Sequence, residues 1–164
     1  MTPEPHMPVP LFALLLYVGW AVLLALVIVV WRSVKVMRGE SMVQDFTSGV
    51  PHGSQAYWRA NRAHINTLEN LPLFAAVILT AAVLKVPGTM FATLASVAIG
   101  ARVVQSLVHL SSGSGIAVNI RFTFWFIQLL CIVALLVLIV LGAGFPEWPS
   151  GPDVWVQLKT GVVL

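Results

Sequence analysis

Residues Trp58–Phe74 read WRANRAHINTLENLPLF, a stretch that sets charged and amide side chains directly against an apolar run. As a helix it brings Arg59, Arg62, Asn66 and Glu69 onto one stripe, because positions three and four apart share a face. Leu71 to Leu79 then reads as the interior of a bilayer-spanning helix. A carboxylate and an amide so near hydrocarbon are costly. They persist where they face a bundle interior, a partner charge or a ligand. Pro72 cannot donate to the carbonyl of Leu68, so a local kink is expected there.

The whole chain agrees with a membrane setting. Of its 164 residues 59% are hydrophobic and only 9% charged, with a mean hydropathy of +0.92. Soluble domains carry about 25% charged residues, so this composition belongs to an integral membrane protein. The single cysteine, Cys131, lies in an apolar run, excludes an intrachain disulfide and reads as core. Ahead of Leu11 the chain holds Glu4 and four prolines but no Lys or Arg, which argues against a cleaved signal peptide.

Four spans follow, at 11–31, 57–84, 89–110 and 119–141, within one domain over 1–164. The first is uncharged and ends on Trp31, an interfacial anchor. A polar connection carrying Arg32, Lys35 and Arg38 leads to the second. Lys85-Val86-Pro87-Gly88 reads as a tight turn, and Ser111 to Gly115, SSGSG, as a flexible loop. The third span is interrupted by Arg102, Gln105, Ser106 and His109, again one polar face. The fourth carries Arg121 at its start and Gln128 inside. The tail from Gly142, with Trp148 and Trp155, reads as interfacial or irregular. Lys and Arg concentrate on the first connection and the entry to the second span, so the first and third connections are expected in the cytoplasm and both termini outside.

The polar groups therefore converge on one leaflet. Arg62, Asn66 and Glu69 from one helix, Arg102, Gln105 and His109 from the next, Arg121 from the fourth and Arg38 from the end of the first would form a site of several cations, one carboxylate and several amides. That set suits a small, multiply charged, peptide-like ligand: Arg clamps carboxylates, amides pair with amides and Glu receives an ammonium. An arginine beside a bound thiol would also favour the reactive thiolate.

Arg62-Ala63-His64-Ile65-Asn66-Thr67-Leu68-Glu69-Asn70-Leu71-Pro72-Leu73-Phe74 resembles the signature of the MAPEG family, the membrane-associated proteins of eicosanoid and glutathione metabolism. Arg102 and Arg121 also resemble family positions, and the likeness covers nearly the whole chain. It implies an all-α integral membrane protein, a homotrimer of four-helix protomers that binds glutathione as cosubstrate near the cytoplasmic side, and a bacterial-type member would sit in the inner membrane. By matching positions Arg62, Asn66 and Glu69 would bind glutathione, Arg121 would stabilise the thiolate, and His64 would be a further polar contact. Two departures stand out. Gln105 and His109 occupy positions where relatives often carry tyrosines, and Asn70 one where an aromatic is common.

The implied activity is that of a glutathione transferase or peroxidase acting on a hydrophobic electrophile or lipid hydroperoxide. The alternative is a non-catalytic, lipid-binding scaffold of the same fold. Plainer readings compete: Asn66 and Glu69 could merely tie helices together through Arg102 or Arg62, and Arg32, Lys35 and Arg38 could form a cluster facing lipid headgroups. Phe122, Phe124, Trp125 and Phe126 are expected to face lipid or a neighbouring subunit. The histidines and the cysteine lack metal-ligand spacing, so no metal site is expected. No phosphate loop, dinucleotide fingerprint or nucleophile elbow occurs, and nothing calls for nucleic acid.

Overall fold

The computed structural model describes residues 6–47, 53–86 and 88–144. Four helices account for nearly all of them: α1 at Val9–Met37, α2 at Gln55–Val83, α3 at Thr89–Ser111 and α4 at Gly115–Ala143. Each is long and apolar enough to cross a membrane. The chain is thus a multi-pass, four-helix membrane bundle. Pro87, the start of the N-terminal proline-rich segment and the tail with Trp148 and Trp155 lie outside the described residues.

The helix ends follow from local chemistry. Helix α1 runs past the expected Trp31 until Gly39, at φ 69, terminates it. The amides of Gly39 and Glu40 then return to the carbonyls of Val36 and Lys35, a Schellman closure. Helix α2 closes in the same way through Lys85, at φ 53, with Val86 N–H on the Ala81 carbonyl. Ser54 and Ser114 cap α2 and α4 by accepting from the amides of Tyr57 and Ala117. The Ser114 cap starts α4 at Gly115, one turn before the expected Asn119. Helix α2 continues through Pro72.

Helix α3 packs along α4, while α2 touches the other three. The core has three layers. At the end holding the N-terminus of α1 it is apolar, built around Leu14, Phe74, Ile78, Phe91 and Leu135. Small buried residues, among them Ala95 and Ala98, let the helices approach closely. At mid-bundle lies a polar seam. At the basic end a smaller cluster joins Ile28, Tyr57 and Ala60 to Trp31, Phe46 and Leu110. Here the guanidinium of Arg32 lies 5.4 Å from the Phe46 ring and 5.7 Å from the Tyr57 ring, and its Nε donates to Tyr57 Oη at 2.6 Å. The polar connection after α1 is thereby pinned against the bundle. Outward faces such as Leu15, Leu16, Val29 and Val30 are exposed hydrophobics, as lipid contact requires.

Candidate functional site

The polar seam comes from a few polar residues on four apolar helices, which bond to one another where no water competes. Gln128 Nε2 donates to Tyr17 Oη at 3.0 Å, and the Tyr17 hydroxyl reaches the Thr67 carbonyl at 3.4 Å. Thr67 Oγ1 donates to the Ala63 carbonyl at 2.8 Å and lies 3.4 Å from Ser106 Oγ, which donates to the Arg102 carbonyl at 2.9 Å. Arg102 is fully buried. Its Nη1 donates to Gln105 Oε1, while Nε and Nη2 have no hydrogen-bond partner of ordinary geometry among the described residues.

Beside the seam, toward the basic end, a cleft of about 280 Å³ opens between α2, α3 and α4. Asn66, Glu69 and Asn70 line it from α2, Gln105 and His109 from α3, and Val118, Arg121, Phe122 and Trp125 from α4. Short, antiparallel connections bring the two polar stripes face to face. Arg121 and Glu69 give the cleft lining one guanidinium and one carboxylate, with Arg59 and Arg62 carried on α2 outside it. Glu69 is exposed and makes no ion pair among the described residues. It is not consumed in tying helices together.

Five expected site residues thus meet in one place: Asn66, Glu69, Gln105, His109 and Arg121. The other four lie elsewhere. Arg102 is not in the lining but behind it, holding Gln105. Arg62 is exposed on α2 outside the lining, and His64 is half-buried away from it. Arg38 sits at the end of α1 with its Nη1 3.9 Å from Glu40 Oε1, outside the cleft, because α1 does not border it. Arg59 is partly tied, its Nε donating to the Leu110 carbonyl at 3.2 Å.

Phe122 and Trp125 contribute to the cleft wall, and Phe122 is at the same time exposed on the outside of the protomer. Their rings lie 5.9 Å apart. Asn70 is a further lining residue, and its place four positions beyond Asn66 was the available signal. Tyr17 carried no such signal, since its partner Gln128 is 111 residues away. Among the described residues no group of three His, Cys, Asp or Glu side chains could hold a metal ion.

A second, apolar groove of about 730 Å³ runs between α1 and α3, lined by Phe12, Leu16, Trp20, Ile99 and Val103 among others. Gly19 and Gly100 form part of its wall, and a Cβ added at either would meet nothing within 4 Å.

The MAPEG family model matches residues 10–141, from the start of α1 to the end of α4. No curated protein matches the chain. The chain belongs to the MAPEG family.

Proposed function

We propose that this MAPEG protein is a membrane glutathione transferase or peroxidase in which Arg121, in the cleft between α2, α3 and α4, activates the glutathione thiol. Family membership supports a membrane role of the glutathione or eicosanoid-metabolism kind. The observation that carries the finer reading is the gathering of Arg121 with Asn66, Glu69, Gln105 and His109 around one cleft of about 280 Å³. Glutathione offers two carboxylates, an ammonium, two amides and a thiol; here Glu69 suits the ammonium, the Asn and Gln side chains suit the amides, and Arg121 suits an anionic group.

In this reading Glu69 receives the ammonium and Asn66 an amide, while Arg62, outside the lining on α2, takes a carboxylate from the rim. Arg121 stabilises the thiolate, whose proton leaves to water in the cleft. The thiolate then forms a carbon–sulfur bond with an apolar electrophile. In a peroxidase reaction two thiols would supply the two electrons that convert a lipid hydroperoxide to alcohol and water, leaving glutathione disulfide. Phe122 and Trp125 give the apolar cosubstrate a wall to rest on as it arrives from the bilayer.

Exposed Glu69 and Arg62 on a helix otherwise bordering hydrocarbon need cover, which neighbouring protomers of a homotrimer would provide. The basic end, with Arg32, Lys35, Arg38, Arg59 and Arg62, would face the cytoplasm, of a bacterial inner membrane in the expected setting. Titration of the full-length chain in detergent with glutathione should show binding and thiolate absorption. Arg121→Ala should abolish the thiolate signal and slow conjugation about a hundredfold. Binding without any thiolate in the wild type would sink the catalytic reading.

The apolar groove between α1 and α3 favours one other reading, a non-catalytic scaffold that holds lipid there. That reading predicts copurifying lipid whose amount does not respond to Arg121→Ala.

A further inference from the structure

Two amide side chains in the cleft have their polarity fixed from behind. Gln105 turns Oε1 to Arg102, and a guanidinium carries donors only, so the amide cannot be reversed while that pairing lasts. Its Nε2 has no partner among the described residues and is not among their covered, unpartnered polar atoms, so it is the end offered to the cleft. Asn70 is fixed in the opposite sense. Its Nδ2 donates to the Asn66 carbonyl at 3.0 Å, one helical turn back, which leaves Oδ1 uncovered and without a partner among the described residues. One cleft therefore presents a donor on α3 and an acceptor on α2.

We infer that Gln105 and Asn70 form a pair that reads a secondary amide of the ligand, Gln105 Nε2 donating to its carbonyl and Asn70 Oδ1 accepting from its N–H, with Arg102 as the positioning residue that holds Gln105 in register. This rests on the glutathione reading above and narrows it: the thiol must carry a peptide-like bond. A simple thiol or a thioester would leave the donor or the acceptor unmatched once it filled the cleft, the kind of mismatch that gives polar sites their selectivity. A tyrosine at either position offers one hydroxyl able to donate or accept, so the two amides make the cleft more directional than a pair of phenols would.

The test compares glutathione with two analogues, each having one amide N–H replaced by an ester oxygen, on the full-length protein in detergent. One analogue should bind the wild type about tenfold more weakly than glutathione. Asn70→Leu should lower affinity for glutathione and remove that gap. Arg102→Lys, which keeps a donor behind Gln105, should retain glutathione affinity better than Arg102→Met even where the two variants melt at the same temperature. Gln105→Glu keeps the partner of Arg102 but offers no donor, and should weaken glutathione binding without lowering the melting temperature. Equal binding of glutathione and both esters, or a gap that survives Asn70→Leu, overturns this inference alone. Absence of glutathione binding in the wild type overturns it together with the proposed function.

Discussion

Arg102 donates from Nη1 to Oε1 of Gln105, three residues further along α3, and neither side chain is open to solvent beyond 6% of its surface. A buried guanidinium is costly by itself, and removing its partner leaves the cost uncompensated. A double-mutant cycle over Arg102→Met and Gln105→Leu, followed by thermal unfolding in detergent, should therefore show a coupling of about 1–3 kcal/mol. Additive losses would mean that the two side chains do not depend on each other.

Tyr17→Phe removes the acceptor of Gln128 Nε2 while leaving the ring packed 5.3 Å from Phe74. With Gln128 Oε1 already lacking a partner, the amide would be fully orphaned, and the variant should lose about 1–2 kcal/mol. Adding Gln128→Leu should recover most of that loss, because an apolar side chain there leaves no unmet polar group.

Glu69→Gln should separate binding from stability. The carboxylate is exposed and has no ion pair among the described residues, so the melting temperature should move little, within about 0.5 kcal/mol. Glutathione affinity should fall about tenfold or more, since the amide cannot neutralise an ammonium. An unchanged affinity would remove Glu69 from the ligand contacts.

Arg32→Ala should loosen the connection after α1. The guanidinium bridges the Phe46 and Tyr57 rings and also reaches Asn61 Oδ1 at 3.4 Å. Without it, limited proteolysis within the connection should speed up several-fold, consistent with a stacked cation of about 1–2 kcal/mol, while glutathione binding persists.

Beyond the end of α1, the hydrogen bond from Lys35 holds the Glu40 carboxyl below the usual carboxylate range, with Arg38 adding a weaker pull. A carboxyl lowered on folding contributes above its unfolded value and loses that contribution as pH falls through the folded one. Carboxyl NMR should thus place the Glu40 midpoint on the acid side of a free glutamate, and Lys35→Met should return it. The pair is exposed, so no measurable change in melting temperature at neutral pH should follow.

What the sequence determined by itself was set by short-range rules: four long apolar runs, the Pro-Gly turn and the SSGSG loop between the later ones, and the stripe of Asn66 and Glu69 matched by that of Gln105 and His109. Those depend on helical periodicity and on the cost of polar groups in hydrocarbon, both readable a few residues at a time. The tertiary structure alone decided which polar groups share a space. It moved Arg102 behind the cleft and Arg38 out of it, brought Asn70, Phe122 and Trp125 into the wall, and joined Tyr17 to Gln128 across 111 residues. Helix rotation about its own axis selects among these outcomes, and it is fixed by side-chain packing between distant segments rather than by any local pattern.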